Sequence, residues 1–214
     1  MLDLDTVRKL LAPFEVELSG AQTALLLSYL ELLERWNRKI NLTAIRRPEE
    51  IVTRHFGESL YLGRLMPLEG QLLDIGSGAG FPGLALKLQF PGLAVTLLEP
   101  VGKKRAFLKE VVRTCGMTQV EVRSERLEEF ARRAPAPRYS TATARAVGQL
   151  DELVPAAASC LKPGGRLALW ISREQAGDLQ RITAEVTWTD PFPVPLGHRR
   201  EIWVGTKLGA IPGR

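Results

Sequence analysis

The residues best placed to do chemistry are the run Asp74-Ile75-Gly76-Ser77-Gly78-Ala79-Gly80-Phe81-Pro82-Gly83 and, 25 positions beyond Asp74, Glu99. Glycines at 76, 78 and 80 let the backbone turn tightly and let a ligand approach without meeting a β-carbon. A literal G-x-G-x-x-G is present at Gly78, Gly80 and Gly83, the pattern of a dinucleotide site. It begins two residues late, behind an acid that would repel a pyrophosphate where open amides are needed. A cationic cofactor without phosphates fits better. S-adenosylmethionine carries an ammonium and a sulfonium, both favourable beside Asp74, and Glu99 stands where an acid accepts hydrogen bonds from two ribose hydroxyls. A nicotinamide-dependent oxidoreductase using the late glycine pattern is the alternative.

These residues need strand ends to hold them. Leu72 to Ile75 is a short buried strand, with a helix from about Pro82 to Phe90 behind it. Val95 to Glu99 is a second strand, followed by a helix from Lys103 to Cys115. The alternation continues through Val120–Val122, a helix around Leu127 to Arg132, the strand Tyr139–Thr143, a helix over Leu150–Leu161 and the strand Leu167–Trp170. Five strand–helix repeats predict an α/β fold with a doubly wound, mostly parallel sheet of the Rossmann-like, class I methyltransferase type. In such sheets ligands bind beyond the carboxyl ends of the strands. A tight turn at Lys162-Pro163-Gly164-Gly165 is expected before the fifth strand, and a terminal hairpin around Val186 and Ile202 at the sheet edge.

Residues 1–68 read instead as a helical N-terminal extension, with 69–214 as the S-adenosylmethionine-binding methyltransferase domain. Ser19 with Gln22 fits a capping box, and Leu25, Leu26, Tyr29, Leu30, Leu33 and Trp36 recur at helical spacing. Pro48 suits a first helical turn, with Glu49 and Glu50 favouring the positive end of its dipole.

Composition narrows the function classes. The chain has 214 residues, 45% of them hydrophobic and 25% charged, so disordered and fibrous architectures are excluded. The longest uncharged apolar stretch, Val154 to Leu161, is far short of the roughly 18 residues of a membrane span. The first residues carry acids where a secretory signal would be basic, so a soluble cytoplasmic protein is expected. Cys115 and Cys160 lie outside any zinc-ligand spacing, and with His55 and His198 the only histidines, no metal site is expected. Lys and Arg exceed Asp and Glu by five, which favours a polyanionic partner. Arg35, Arg38, Lys39, Arg46 and Arg47 form one basic run, and Lys103, Lys104 and Arg105 another. The absence of an N/D-P-P-Y tetrapeptide argues against methylation of an adenine amine, and that of a Pro-Cys pair against cytosine C5 chemistry.

Trp36-Asn37-Arg38-Lys39-Ile40-Asn41-Leu42-Thr43-Ala44-Ile45, then Arg54-His55, the Asp74–Gly83 loop and Gly102-Lys103-Lys104 together resemble the ribosomal RNA small subunit methyltransferase G family, also called glucose-inhibited division protein B. The resemblance spans about residues 19 to 207. It implies methyl transfer from S-adenosylmethionine to N7 of guanine 527 of 16S rRNA, in the 530 loop, on the small ribosomal subunit; a monomer is expected. It implies cofactor contacts at Gly76, Phe81, Leu127, Glu128 and Arg145, beside Asp74, Gly78 and Glu99 read from the strands. It implies RNA contacts at Lys103, Lys104 and Arg200, to which the basic run adds Arg38 and Lys39. Arg145 would hold a carboxylate or phosphate in a fork of two hydrogen bonds, and Phe81 or Trp170 would shield the site or stack on a base. Two departures stand out: Ala168-Leu169-Trp170-Ile171-Ser172-Arg173 where the family usually shows Ala-Leu-Lys-Gly, and Glu58 where it commonly has Asp. The missing lysine motivates a further alternative, a non-catalytic RNA-binding protein on the same fold, unless Arg173 replaces it.

Guanine N7 presents an unprotonated lone pair on the major-groove edge. It attacks a sulfonium methyl without losing a proton, so no general base is required and no catalytic residue is assigned. The protein's work is orientation, with reacting atoms held at roughly 3–3.5 Å, which can lower a barrier by about 7–11 kcal/mol.

Overall fold

The alternation of strand and helix read from the chain is the architecture of the computed structural model, which describes residues 2–133, 137–146, 148–179, 181–182, 186–197 and 199–209. At the front, α1 (Leu4–Leu11) starts on Asp3, whose side chain accepts the Thr6 N–H, and a 3-10 turn (Ala12–Phe14) leads towards α2 (Gly20–Asn37). Both hydrogen bonds of the Ser19–Gln22 capping box are made. After an irregular stretch, Pro48 opens α3 (Pro48–Ile51), which runs through a π-helical turn (Val52–Gly57) into α4 (Glu58–Leu60) and α5 (Leu62–Leu65).

The body then follows as β1 (Gln71–Ile75), α6 (Gly83–Gln89), β2 (Ala94–Leu98), α7 (Gly102–Thr114), β3 (Val120–Arg123) and α8 (Leu127–Arg133). It continues with β4 (Tyr139–Arg145), α9 (Leu150–Cys160), β5 (Leu161–Ser172), α10 (Arg173–Leu179), β6 (Val186–Trp188), β7 (Phe192–Pro193) and β8 (Arg200–Lys207). The sheet order is β3-β2-β1-β4-β5-β8-β6, with β7 also on β8. Strands β1 to β5 are parallel; β8 runs antiparallel to β5, β6 and β7. The order reverses between β1 and β4, and that switch point opens a crevice at the carboxyl ends of the strands.

Two local expectations change, and one helix is unanticipated. The Pro-Gly-Gly turn is not a connection before β5 but a bulge inside it: Tyr139 pairs with Leu161 and Thr141 with Arg166, so Lys162–Gly165 loop out. A β-carbon on Gly165 would come within 2.8 Å of the Lys162 carbonyl oxygen, which is why glycine stands there. The terminal hairpin does form, but its second strand lies inside the sheet. Strand β8 carries the buried run Ile202-Trp203-Val204 and inserts beside β5, leaving short β6 at the edge. Helix α10 was not legible, since Arg173–Leu179 is mostly polar and contains Gly177.

Apolar packing covers both faces of the sheet. On one face the front helices join α6 and α7 around Tyr29, Leu33, Phe56, Leu84 and Leu108. On the other, α8 and α9 bury Phe130, Leu153 and Ala157 against Leu169 and Trp203. Cys115 and Cys160 are both buried and free. Among the described residues no helix is long and apolar enough to cross a membrane.

Candidate active site and nucleic-acid surface

The glycine loop leaves β1 with Gly76 at φ +67°, Gly78 at +55° and Gly80 at +88°, left-handed conformations that favour glycine. The three do different jobs. A β-carbon on Gly76 would meet nothing within 4 Å, and one on Gly78 only the Gly76 carbonyl oxygen at 3.8 Å, so this side of the loop is open. A β-carbon on Gly80 would overlap the Tyr29 hydroxyl, and one on Gly83 would lie 2.7 Å from Asp74 Oδ2. Gly80 and Gly83 are therefore packing glycines, and the late G-x-G-x-x-G offers no cradle for a pyrophosphate.

Asp74 sits beneath the loop, wholly buried. Its Oδ1 accepts from Thr143 Oγ at 2.8 Å, while Oδ2 has no hydrogen-bond partner. Burial pushes its pKa up to about 6 against the pull of its donors. It has no surface open to the crevice, so the expected direct contact with a cofactor's cations gives way to an effect through the loop. Glu99 is also buried, its Oε2 accepting the Gly78 N–H at 2.9 Å and its Oε1 the Val101 N–H at 2.8 Å. It thus ties the loop to the end of β2, and each oxygen keeps a lone pair for a further donor.

Beside the loop opens a cleft of about 200 Å³. Gly76, Leu127 and Glu128 meet there, with Ile75, Leu98 and Pro100 as apolar walls. Gln149 and Glu152 also line it, and were missed because they enter from α9 behind a segment without a recognisable motif. Gln149 stands at φ +53°, turning the chain into α9.

The other side of the loop is filled by protein. Phe81 is 8% exposed and stacked between Tyr29 (5.5 Å, 4° interplanar) and His55 (4.9 Å, 19°), with Phe56 edge-on. The expectation that its ring meets cofactor or base is overturned: its faces are already covered. Trp170 is likewise buried, its indole N–H donating to the Glu58 carbonyl at 3.0 Å. His55 receives its orientation from Thr43, whose hydroxyl lies 2.7 Å from Nε2. Burial, with Arg145, Arg54 and Arg200 nearby, drives the imidazole pKa down to about 3.

Arg145, at the end of β4, does not offer its fork to a ligand. It donates to Glu58 Oε2 at 3.0 Å and to the Arg54 carbonyl at 2.5 Å, and reaches the His55 carbonyl and Ser59 hydroxyl at 3.5 Å. Only 11% of its side chain is exposed. Arg200 donates to the other Glu58 oxygen at 2.5 Å and remains 29% exposed. Glu58, 1% exposed, thus bridges β4 and β8, an arrangement sequence reasoning missed; the only sign was its departure from Asp. Burial raises its pKa, and the three arginines oppose that. Arg173 is 68% exposed and pairs with Glu201 at 3.0 Å.

The basic groups separate into held and free. Arg35 pairs with Glu110, Arg47 with Glu49 and Glu50, and Arg105 caps the end of β2 through the Glu99 and Pro100 carbonyls. Arg38, Lys39 and Lys103 are exposed, Lys104 is half-buried, and none has an ion-pair partner among the described residues. No group of three or more His, Cys, Asp or Glu among the described residues could hold a metal; His198 lies outside them.

A sequence profile described as rRNA small subunit methyltransferase G matches residues 22–192. The chain belongs to that family. Ribosomal RNA small subunit methyltransferase G of Chloroflexus aggregans is 39% identical over 208 residues, covering 93% of this chain and 87% of its own. The protein of that name from Halorhodospira halophila is 37% identical, covering 92% and 93%. That of Xylella fastidiosa strain M23 is 46% identical over 71% and 70%. Among solved structures, the ribosomal protein L11 methylase of Lactobacillus delbrueckii superposes with a TM-score of 0.60 at 15% identity, covering 73% of this chain and 80% of that one. TrmN from Thermus thermophilus gives 0.55 at 20% identity, covering 73% and 48%. These structural likenesses carry the Rossmann-like methyltransferase fold. Membership of the methyltransferase G family, with the packed Gly80 and Gly83, sets aside the nicotinamide oxidoreductase.

Proposed function

We propose that the protein transfers a methyl group from S-adenosylmethionine to N7 of a guanine in 16S rRNA, guanine 527 of the 530 loop. It acts as a cytoplasmic monomer on the small ribosomal subunit, with residues 1–68 as a helical extension of a donor-binding domain, 69–214. The family assignment and the names of the relatives support the substrate. The cleft supports the cofactor. Its open Gly76 face admits a ligand against the backbone, its apolar walls suit a flat base, and Glu128 and Glu152 suit amino donors and positive charge. In this reading Gly76, Gly78, Leu127 and Glu128 touch the cofactor, Glu99 accepts from its ribose, and Asp74 and Phe81 hold the loop from behind. Bound there, S-adenosylmethionine supplies an electrophilic sulfonium methyl.

One observation carries the choice of nucleophile. His55 and Glu58, which meet Arg145 at the end of β4, are poorly placed to take a proton from a substrate. His55 is caged by Phe81, Thr43 and three arginines, and Glu58 is bridged by two of those. A nucleophile that needs no base suits this place, and the N7 lone pair of guanine is one. The residues' task is then to exclude water and hold the base, work that positioning alone rewards by about 7–11 kcal/mol.

The test is incubation of unmethylated small subunits with the protein and S-adenosylmethionine, followed by aniline cleavage to map 7-methylguanine. Scission at guanine 527 is the expected result. Label elsewhere overturns the target, and binding without transfer makes the protein a non-catalytic RNA-binding member.

A further inference from the structure

Charge is not balanced around Glu58. One carboxylate faces Arg145 and Arg200 directly, Arg54 acts on it from the π-helical turn, and the neighbouring His55 is neutral. The surplus is positive, and it stands at the carboxyl end of β4. Arg145 is poorly placed to use it on a ligand, since its side chain is only 11% exposed and both its Nη groups are turned to Glu58, backbone carbonyls and Ser59. Arg200 is better placed. Only its Nη2 is engaged, so Nε and Nη1 have no partner among the described residues, and the side chain is partly exposed. Arg54 is exposed, and its guanidinium likewise has no partner there. Its backbone, however, is fixed: the Arg54 carbonyl accepts from Arg145.

We propose that Glu58 is a positioning residue, a buried carboxylate that registers Arg200 beside Arg54 so that their free N–H groups together take one phosphate of the substrate RNA. The physical case is that an unrestrained arginine loses rotamer freedom on being fixed, a cost already met if a buried partner holds it. Guanidinium forks match phosphate oxygens in geometry and charge. A buried carboxylate between two arginines adds little net stability but fixes where they stand. This assignment rests on the RNA reading above and adds to it two residues, Glu58 and Arg54.

The experiment measures labelled methyl transfer to unmethylated small subunits for Glu58→Gln, Glu58→Asp, Arg54→Ala, Arg200→Ala and the double variant Glu58→Gln/Arg200→Ala. Binding of S-adenosylhomocysteine is followed by calorimetry. Glu58→Gln should raise KM for subunits roughly tenfold, the size of one hydrogen bond to a charged group, with cofactor affinity within about twofold. Glu58→Asp should recover most of the loss. In the Arg200→Ala background Glu58→Gln should add almost nothing, because the two act as a unit. Arg54→Ala, at an exposed site, should also raise KM and flatten the salt dependence of subunit binding by about 0.7 log units per log unit, one single-strand phosphate. If Glu58→Gln fails to fold, Arg54→Ala and its salt slope decide. An unchanged KM and slope in Arg54→Ala, or an undiminished Glu58→Gln effect in the Arg200→Ala background, overturns the phosphate site while leaving the RNA reading intact. Failure of the unaltered protein to label subunits removes both.

Discussion

Asp74 shows what burial does to a residue chosen for its charge. Its carboxyl pKa stands at about 6 against 3.8 for an exposed group, so the native state binds the proton more tightly than the unfolded chain. Stability from this group is therefore full below pH 4 and is lost as pH rises towards about 6. At neutral pH the ionised form costs the fold on the order of 3 kcal/mol. Asp74→Asn keeps an acceptor for Thr143, so the variant should be at least as stable as the parent at pH 7.5 and should lose that advantage at pH 4. Chemical denaturation at the two pH values measures the difference, and an advantage independent of pH would contradict it. Gly76→Val tests the neighbouring open face. It should lower stability by about 1–2 kcal/mol through its left-handed φ, yet abolish S-adenosylhomocysteine binding in calorimetry.

The elements are joined by a chain of side chains that begins in the tryptophan–asparagine segment. Trp36 packs edge-on against Phe107 and donates to Glu110, seating the end of α2 on α7. Asn37 then organises the irregular stretch after it, accepting the Leu42 and Thr43 N–H groups on Oδ1 and donating to the Thr43 carbonyl. Thr43 reaches His55 in the π-helical turn, and His55 stacks on Phe81 of the glycine loop. A π turn suits this task because its extra residue redirects a side chain without ending the helix. Asn37→Ala removes three hydrogen bonds at a buried position. It should destabilise by about 1.5–4.5 kcal/mol and weaken cofactor binding, with both effects read by urea titration and calorimetry. A variant that loses stability without loosening the cofactor would break the proposed link between this segment and the loop.

Across the whole molecule, Arg38, Lys39, Lys103 and Lys104 are among the cations that a net charge of +5 leaves without an ion-pair partner among the described residues. Lys103→Ala with Lys104→Ala should leave cofactor affinity unchanged and stability within about 0.5 kcal/mol. RNA affinity should fall, and its salt slope flatten by about 0.7–0.9 for each phosphate the variant no longer neutralises. Filter binding between 50 and 200 mM salt would read this, and an unaltered slope would place those lysines off the RNA.

The sequence by itself determined what is local. The capping box, the proline at the start of α3, the strand–helix alternation and the glycine loop after β1 are patterns within a few residues, set by hydrogen bonding, φ preference and burial periodicity. From them the parallel sheet and its crevice were legible, while the family resemblance put Gly76, Leu127 and Glu128 together there. Tertiary structure decided who partners whom. Glu58 meets Arg145 and Arg200 across 87 and 142 residues of chain, and Tyr29 closes over Phe81 and Gly80 from 52 and 51 residues away. Such contacts leave no periodic trace, because they depend on which faces pack together. Whether a side chain has a free surface or donor to offer a ligand is fixed only when its neighbours arrive.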